Sequence, residues 1–164
     1  MPSPDRPVIL SRMTSDRLQH SGLAREIEFL TARARSIGAA IANDLLHEHG
    51  LRVRSYAVLA LACGGLGPTQ RQLAEFLRLD PSQIVALVDE LESAGLVRRE
   101  PDPTDRRSKV IVATEAGEAL YRPARAATAR AEELALAALT ADERDQLRAL
   151  MTKIAFAPIE DRPA

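Results

Sequence analysis

A chain of 164 residues suits one domain, or one domain with helical extensions. Hydrophobic residues at 46% and charged residues at 27% describe a soluble globular protein, and aromatics at 3% with no Trp leave the core to Ala, Leu, Val and Ile. The net charge of −1 and a pI near 6.3 exclude a broadly basic surface, so binding to a polyanion must rest on local patches.

Cys63 is the only cysteine, which excludes an intrachain disulfide and a cysteine-rich metal site. His47 and His49 are spaced i, i+2 and point apart on a helix. Neither a metal nor a cofactor is expected. The opening "MPSPDRPVILSRMTSDRLQH" has three prolines and lacks the apolar core of a signal peptide, so residues 1–20 read as a flexible arm. No apolar run approaches the roughly 18 residues of a membrane span. The chain reads as cytoplasmic, with no membrane partner.

From Gly22 to about Glu48, apolar residues fall at Leu23, Ile27, Leu30, Ala34, Ile37, Ile41 and Leu45, which predicts a long amphipathic helix within residues 21–50. A second helix is expected from about Arg54 to Ala62, with Tyr56, Leu59 and Ala60 inward, closed by "GGLGP". In "TQRQLAEFLRL", Thr69 and Gln72 have the spacing of a capping box, and Leu73, Phe76 and Leu77 form the expected buried stripe. "DPSQIVALVDELESAG" predicts a fourth helix: Asp80 to cap it, Pro81 at its first position, Gly95 to stop it, and Ile84, Leu87, Val88 and Leu91 facing inward.

Two strands follow, about Val97 to Glu100 and Lys109 to Ala113. Their connection, "DPTDRRSK", has turn formers and then a crowd of cations. A solvated loop is the bland explanation; a finger reaching for phosphates is the sharp one. A long Ala-rich helix starts after Thr114, with Pro123 bending it or marking its true start. Thr140 and Glu143 make a second capping box before a last helix through about Ala155, and residues 157–164 form a tail.

Two short helices with a tight turn, followed by a strand pair, make a helix-turn-helix with a wing, here residues 51–113. The fold class is mainly α with a small β-wing. The flanking helical segments, 21–50 and 114–156, are long for so small a lobe to cover. A second copy of the chain is their simplest partner, which makes them a dimerisation region.

The stretch "IVALVDELESAGLVRREPDPTDRRSKVIVATEAGEAL", Ile84 to Leu120, resembles the MarR family of bacterial transcription regulators. Asp105 and Arg107 meet the family's Asp-x-Arg wing signature, and "ALTADERDQLRALM" is similar to its last-helix opening. The resemblance implies a transcriptional repressor that binds a palindromic operator in double-stranded DNA as a homodimer and is released by a small-molecule effector. It also implies that Arg107 enters the minor groove, that Asp105 orients it, and that Arg106, Ser108 and Lys109 contact phosphates.

On the fourth helix, the residues opposite the buried stripe are Pro81, Ser82, Gln83, Val85, Ala86 and Asp89. Ser82 and Gln83 can hydrogen-bond base edges, while Val85 and Ala86 can touch thymine methyls. The family often has a Thr and an Arg where this chain has Val85 and Ala86. From Asp80 to Ser93 there are four acids, Asp80, Asp89, Glu90 and Glu92, and no base. Phosphate binding is therefore expected to fall on Arg52, Arg54, Gln70, Arg71 and the wing, with modest affinity and a shallow salt dependence.

That acidity supports an alternative, a winged-helix protein-interaction module without DNA binding. An enzyme is not expected, since no nucleophile-base pairing or phosphate-cradling Gly loop stands out. Cys63 reads as a small buried hydrophobe, and Arg33 and Arg35 as a solvated helix face.

Overall fold

The computed structural model describes residues 17–158 apart from 104 and 106. Most of the expected arm and most of the tail lie outside the described residues, as does Arg106; residues 17–19 are helical. The chain divides into two units between Ala40 and Ile41.

The first unit holds a 3₁₀ turn, Leu23–Arg25, and the larger part of α1 (Ile27–His47). The helix expected from Gly22 begins only at Ile27, because Glu26 takes an extended conformation, φ −77° and ψ 127°, and separates the two elements. Leu23, Ile27, Leu30 and Ile37, the stripe picked out by periodicity, are exposed by 47–76%.

The second unit contains the end of α1, then α2 (Val53–Cys63), α3 (Gln70–Leu77), α4 (Pro81–Ser93), β1 (Val97–Pro101), β2 (Lys109–Ala113), α5 (Glu115–Ala135) and α6 (Ala141–Ala155). Local chemistry sets most of these starts. Thr69 and Gln72 cap each other's backbone, Asp80 accepts the Ser82 N–H at 2.8 Å with Pro81 in the first turn, and Thr140 and Glu143 repeat the reciprocal cap. The turn joining α3 to α4 passes through Arg78 in the left-handed region at φ +53°. After α4, Gly95 at φ +72° reverses the chain into β1, a conformation a side chain would strain.

The core gathers Leu46 and Leu59 with Ile84, Val88 and Leu91 of α4 and Val97 and Ile111 of the strands. Here α2 packs against α4, α5 and β2. Tyr56 of α2 stacks on Tyr121 of α5 with ring centroids 6.1 Å apart. Ser55 is buried without penalty, because its hydroxyl accepts the Arg52 N–H and donates to the Arg52 carbonyl.

Two expectations fail here. Phe76 is 59% exposed rather than part of the α3 stripe, and its ring meets Phe156 at 6.0 Å. Pro123 does not mark the start of a helix: α5 runs through it. Both Pro123 and Ala119, whose carbonyl loses its helical donor, face solvent, so water can satisfy the freed oxygen.

The start of α5 is pinned to the turn after α4. Thr114 donates its N–H to the Leu96 carbonyl at 3.0 Å and its hydroxyl to the Gly95 carbonyl at 2.6 Å, and it accepts the Gly117 N–H. A Cβ on Gly117 would lie 2.0 Å from the Leu96 oxygen, so the close approach requires glycine. The strands form an antiparallel pair in which Val97 faces Ala113 and Pro101 faces Lys109. Among the described residues no helix is long and apolar enough to cross a membrane.

Candidate nucleic-acid interface

Helices α3 and α4 with the β1–β2 wing assemble the surface the sequence pointed to. Burial of Ile84, Val88 and Leu91 turns the opposite face of α4 outward. Pro81, Ser82, Gln83, Val85, Ala86 and Asp89 are all exposed on it. Ser82 donates both its N–H and its hydroxyl to Asp80, so its oxygen retains only acceptor capacity. Those two bonds, the hydroxyl's first, hold the Asp80 carboxyl below its ordinary range.

At the wing tip the loop is closed by its own backbone. Asp102 donates its N–H to the Ser108 carbonyl at 3.0 Å, and Ser108 donates to the Asp105 carbonyl at 2.9 Å. The Asp105 carboxylate accepts the main-chain N–H of Arg107 at 3.0 Å. Arg107 and Lys109 are exposed and Ser108 is half-buried.

The remaining phosphate candidates are dispersed. Arg52 and Arg54 are exposed at the start of α2, a different element from the helix pair and the wing. Arg71 is exposed on α3 but donates its Nε–H to Glu75 at 2.9 Å, an exposed pair that a phosphate could displace at little cost. Gln70 departs from expectation: its Nε2 is buried, without a hydrogen-bond partner among the described residues, rather than held out to solvent. With Arg71, Ala74, Glu75, Pro81 and Val85 it lines a cleft of about 450 Å³ between α3 and α4.

The acidity of α4 has a structural explanation that its own sequence could not supply. Asp80 is spent as the helix cap. Arg99, on β1, reaches across to ion-pair with both Asp89 and Glu92, and its backbone N–H donates to Glu92 Oε1 at 3.0 Å. Burial works against the Arg99 charge, but the bonds to Asp89 and Glu92 prevail and keep it more firmly protonated than a free guanidinium. Arg99 was missed in sequence because its only signal was one Arg in the run "VRRE". Seven residues and a turn separate it from Glu92, so nothing local announces the pair.

Known proteins share the sequence pattern and the fold. The family model described as MarR family matches residues 49–108. A MarR-family transcriptional regulator from Rhodococcus sp. RHA1 is 41% identical, with a TM-score of 0.77 over 84% of this chain and 99% of that one. CouR from Rhodococcus jostii RHA1, in a structure bound to p-coumaroyl-CoA, is 43% identical, with a TM-score of 0.77 over 85% of this chain and 98% of its own. The putative transcriptional regulatory protein for the hcr operon of Thauera aromatica is 28% identical over 138 residues, 84% of this chain and 83% of that protein. The winged-helix lobe, its helical flanks and these likenesses together mean that the chain belongs to the MarR family of transcriptional regulators.

Proposed function

We propose that this protein is a DNA-binding repressor that grips a palindromic operator as a homodimer and lets go when a small molecule binds. The observation that carries the reading is the pairing of an exposed Ser82–Gln83 edge at the start of α4 with an exposed Arg107 at the tip of the adjoining wing. A helix start presenting short polar side chains suits base edges in the major groove, and an Arg at the tip of a narrow loop suits the flanking minor groove. Arg71, Lys109, Arg52 and Arg54 supply phosphate contacts.

The homodimer is supported by the apolar residues left in water: Ile27, Leu30 and Ile37 on α1, and Leu150, Ile154 and Phe156 on α6 or just past its end. In a binding-competent dimer the two α4 helices stand about 34 Å apart, one turn of duplex. For the effector, the likeness to CouR favours a CoA thioester of an aromatic acid.

The rival reading, a protein-interaction module, drew its support from the acidity of α4, and Asp80, Asp89 and Glu92 each have a partner within the chain. Gel-shift competition tests the choice. Purified dimer should prefer the promoter region beside its own gene over a scrambled duplex at moderate salt, and p-coumaroyl-CoA should raise its melting temperature and release the DNA. Equal binding to both duplexes removes the DNA reading.

A further inference from the structure

The two wing strands have a property that the ladder makes visible. Arg99 and Ile111 face each other across the β1–β2 pair, and both direct their backbone N–H groups away from it. The Ile111 N–H donates to the Pro68 carbonyl at 2.9 Å, and Thr69 bridges to Val110, which ties the β2 edge to the segment that opens α3. The Arg99 N–H donates to Glu92 near the end of α4. Each outer edge of the wing is thus held by a different helix of the reading pair.

The two attachments differ in kind. On the β2 side the bonds are backbone to backbone and tolerate almost any side chain. On the β1 side the hydrogen bonds run to side-chain carboxylates: one Glu92 oxygen takes the Arg99 amide and the other takes its guanidinium, whose second arm reaches Asp89. The Arg99 side chain is only 19% exposed, against 38% for Glu92 and 57% for Asp89, so the guanidinium end of this fork is shielded from water and the Glu92 arm more than the Asp89 arm.

We propose that Arg99 and Glu92 are positioning residues for DNA recognition, fixing the height of the wing over α4 so that Arg107 meets the minor groove while α4 occupies the major groove. The inference rests on the DNA-binding reading above. Neither residue touches DNA; they act through the placement of the wing. Asp89 is the outer anchor of the same fork, and this, rather than base contact, accounts for an acid on the exposed face of α4.

The test is a double-mutant cycle between Arg99→Met and Arg107→Ala, read by binding to the full operator and to an operator trimmed of its wing-flanking base pairs. Arg99→Met should bind the full operator about tenfold more weakly than the parent, the scale of a broken partly buried charge network. It should lose little more on the trimmed duplex, and should add little to the loss already caused by Arg107→Ala. Arg99→Lys should recover part of the affinity. Losses of Arg99 and Arg107 that simply add, or parental affinity in Arg99→Met, would overturn the inference while leaving the DNA reading intact. A parent protein that ignores the operator takes both down. Should Arg99→Met fail to fold, Glu92→Gln, which keeps the shape and one acceptor, enters the same cycle with the same expected non-additivity.

Discussion

The carboxylate of Asp105 lies 3.0 Å from the main-chain nitrogen of Arg107 and accepts its hydrogen. The acid therefore shapes the backbone from which Arg107 projects, and leaves that side chain free to reach outward. Replacing Arg107 with Ala should weaken operator binding by about 1–3 kcal/mol, the usual scale for one groove contact. Asp105→Asn keeps an acceptor at the same place and should cost less than Asp105→Ala. Fluorescence anisotropy on a labelled operator measures all three; an Arg107→Glu variant that binds as tightly as the parent would remove the wing from the interface.

Gly117 offers a prediction about stability alone. A methyl group there meets the Leu96 carbonyl oxygen, a backbone atom that cannot swing aside. The Gly117→Ala protein should lose about 2–3 kcal/mol, as overpacked sites do. The loss should show in urea unfolding as a lower midpoint with an unchanged slope.

Cys63 is half-buried, and burial, with a smaller contribution from the charge of Glu118, pushes its thiol above the ordinary range. The native state keeps this proton at a pH where the unfolded chain has begun to lose it. Its contribution to stability is therefore present below the ordinary thiol range and fades as pH rises through the native titration. At pH 8 a disulfide reagent should react more slowly with native protein than with protein in urea, since the thiolate is the nucleophile. Cys63→Ser should leave operator binding unchanged; dependence of binding on that thiol would point to redox control instead.

The exposed face of α6 bears on assembly. Leu150 and Ile154 are 58% and 61% exposed, one helical turn apart. Introducing Glu at both positions should convert the protein to a monomer by light scattering and abolish high-affinity binding to a palindrome while sparing α-helical content. A double variant that remains dimeric would move the interface elsewhere.

Much of the architecture was legible because its causes are short-range. Thr69 with Gln72, Thr140 with Glu143, and Asp80 ahead of Pro81 are caps whose partners lie within three residues, so chain order alone predicts them. The wing strands and the four-residue rhythm of α4 follow likewise from patterns that span one element. Phe76 shows the limit of periodicity: it sits at the right interval for the α3 stripe, yet the ring lies outside the core beside Phe156, eighty residues away in sequence. Pro123 shows another, since a helix tolerates it only where the orphaned carbonyl faces solvent, which depends on what covers α5.

For this protein, the order of residues alone determined the helix-turn-helix, its caps and the cationic tip of the wing, because hydrogen bonds between near neighbours and the spacing of apolar side chains are enough to specify them. Tertiary structure decided the fate of the charges. In sequence α4 carries acids without a base, and only when β1 folds against it does Arg99 arrive beside Asp89 and Glu92. The reason is one of range: Coulomb energy falls with distance through the solvent between charges, and that distance is set by packing, not by position along the chain.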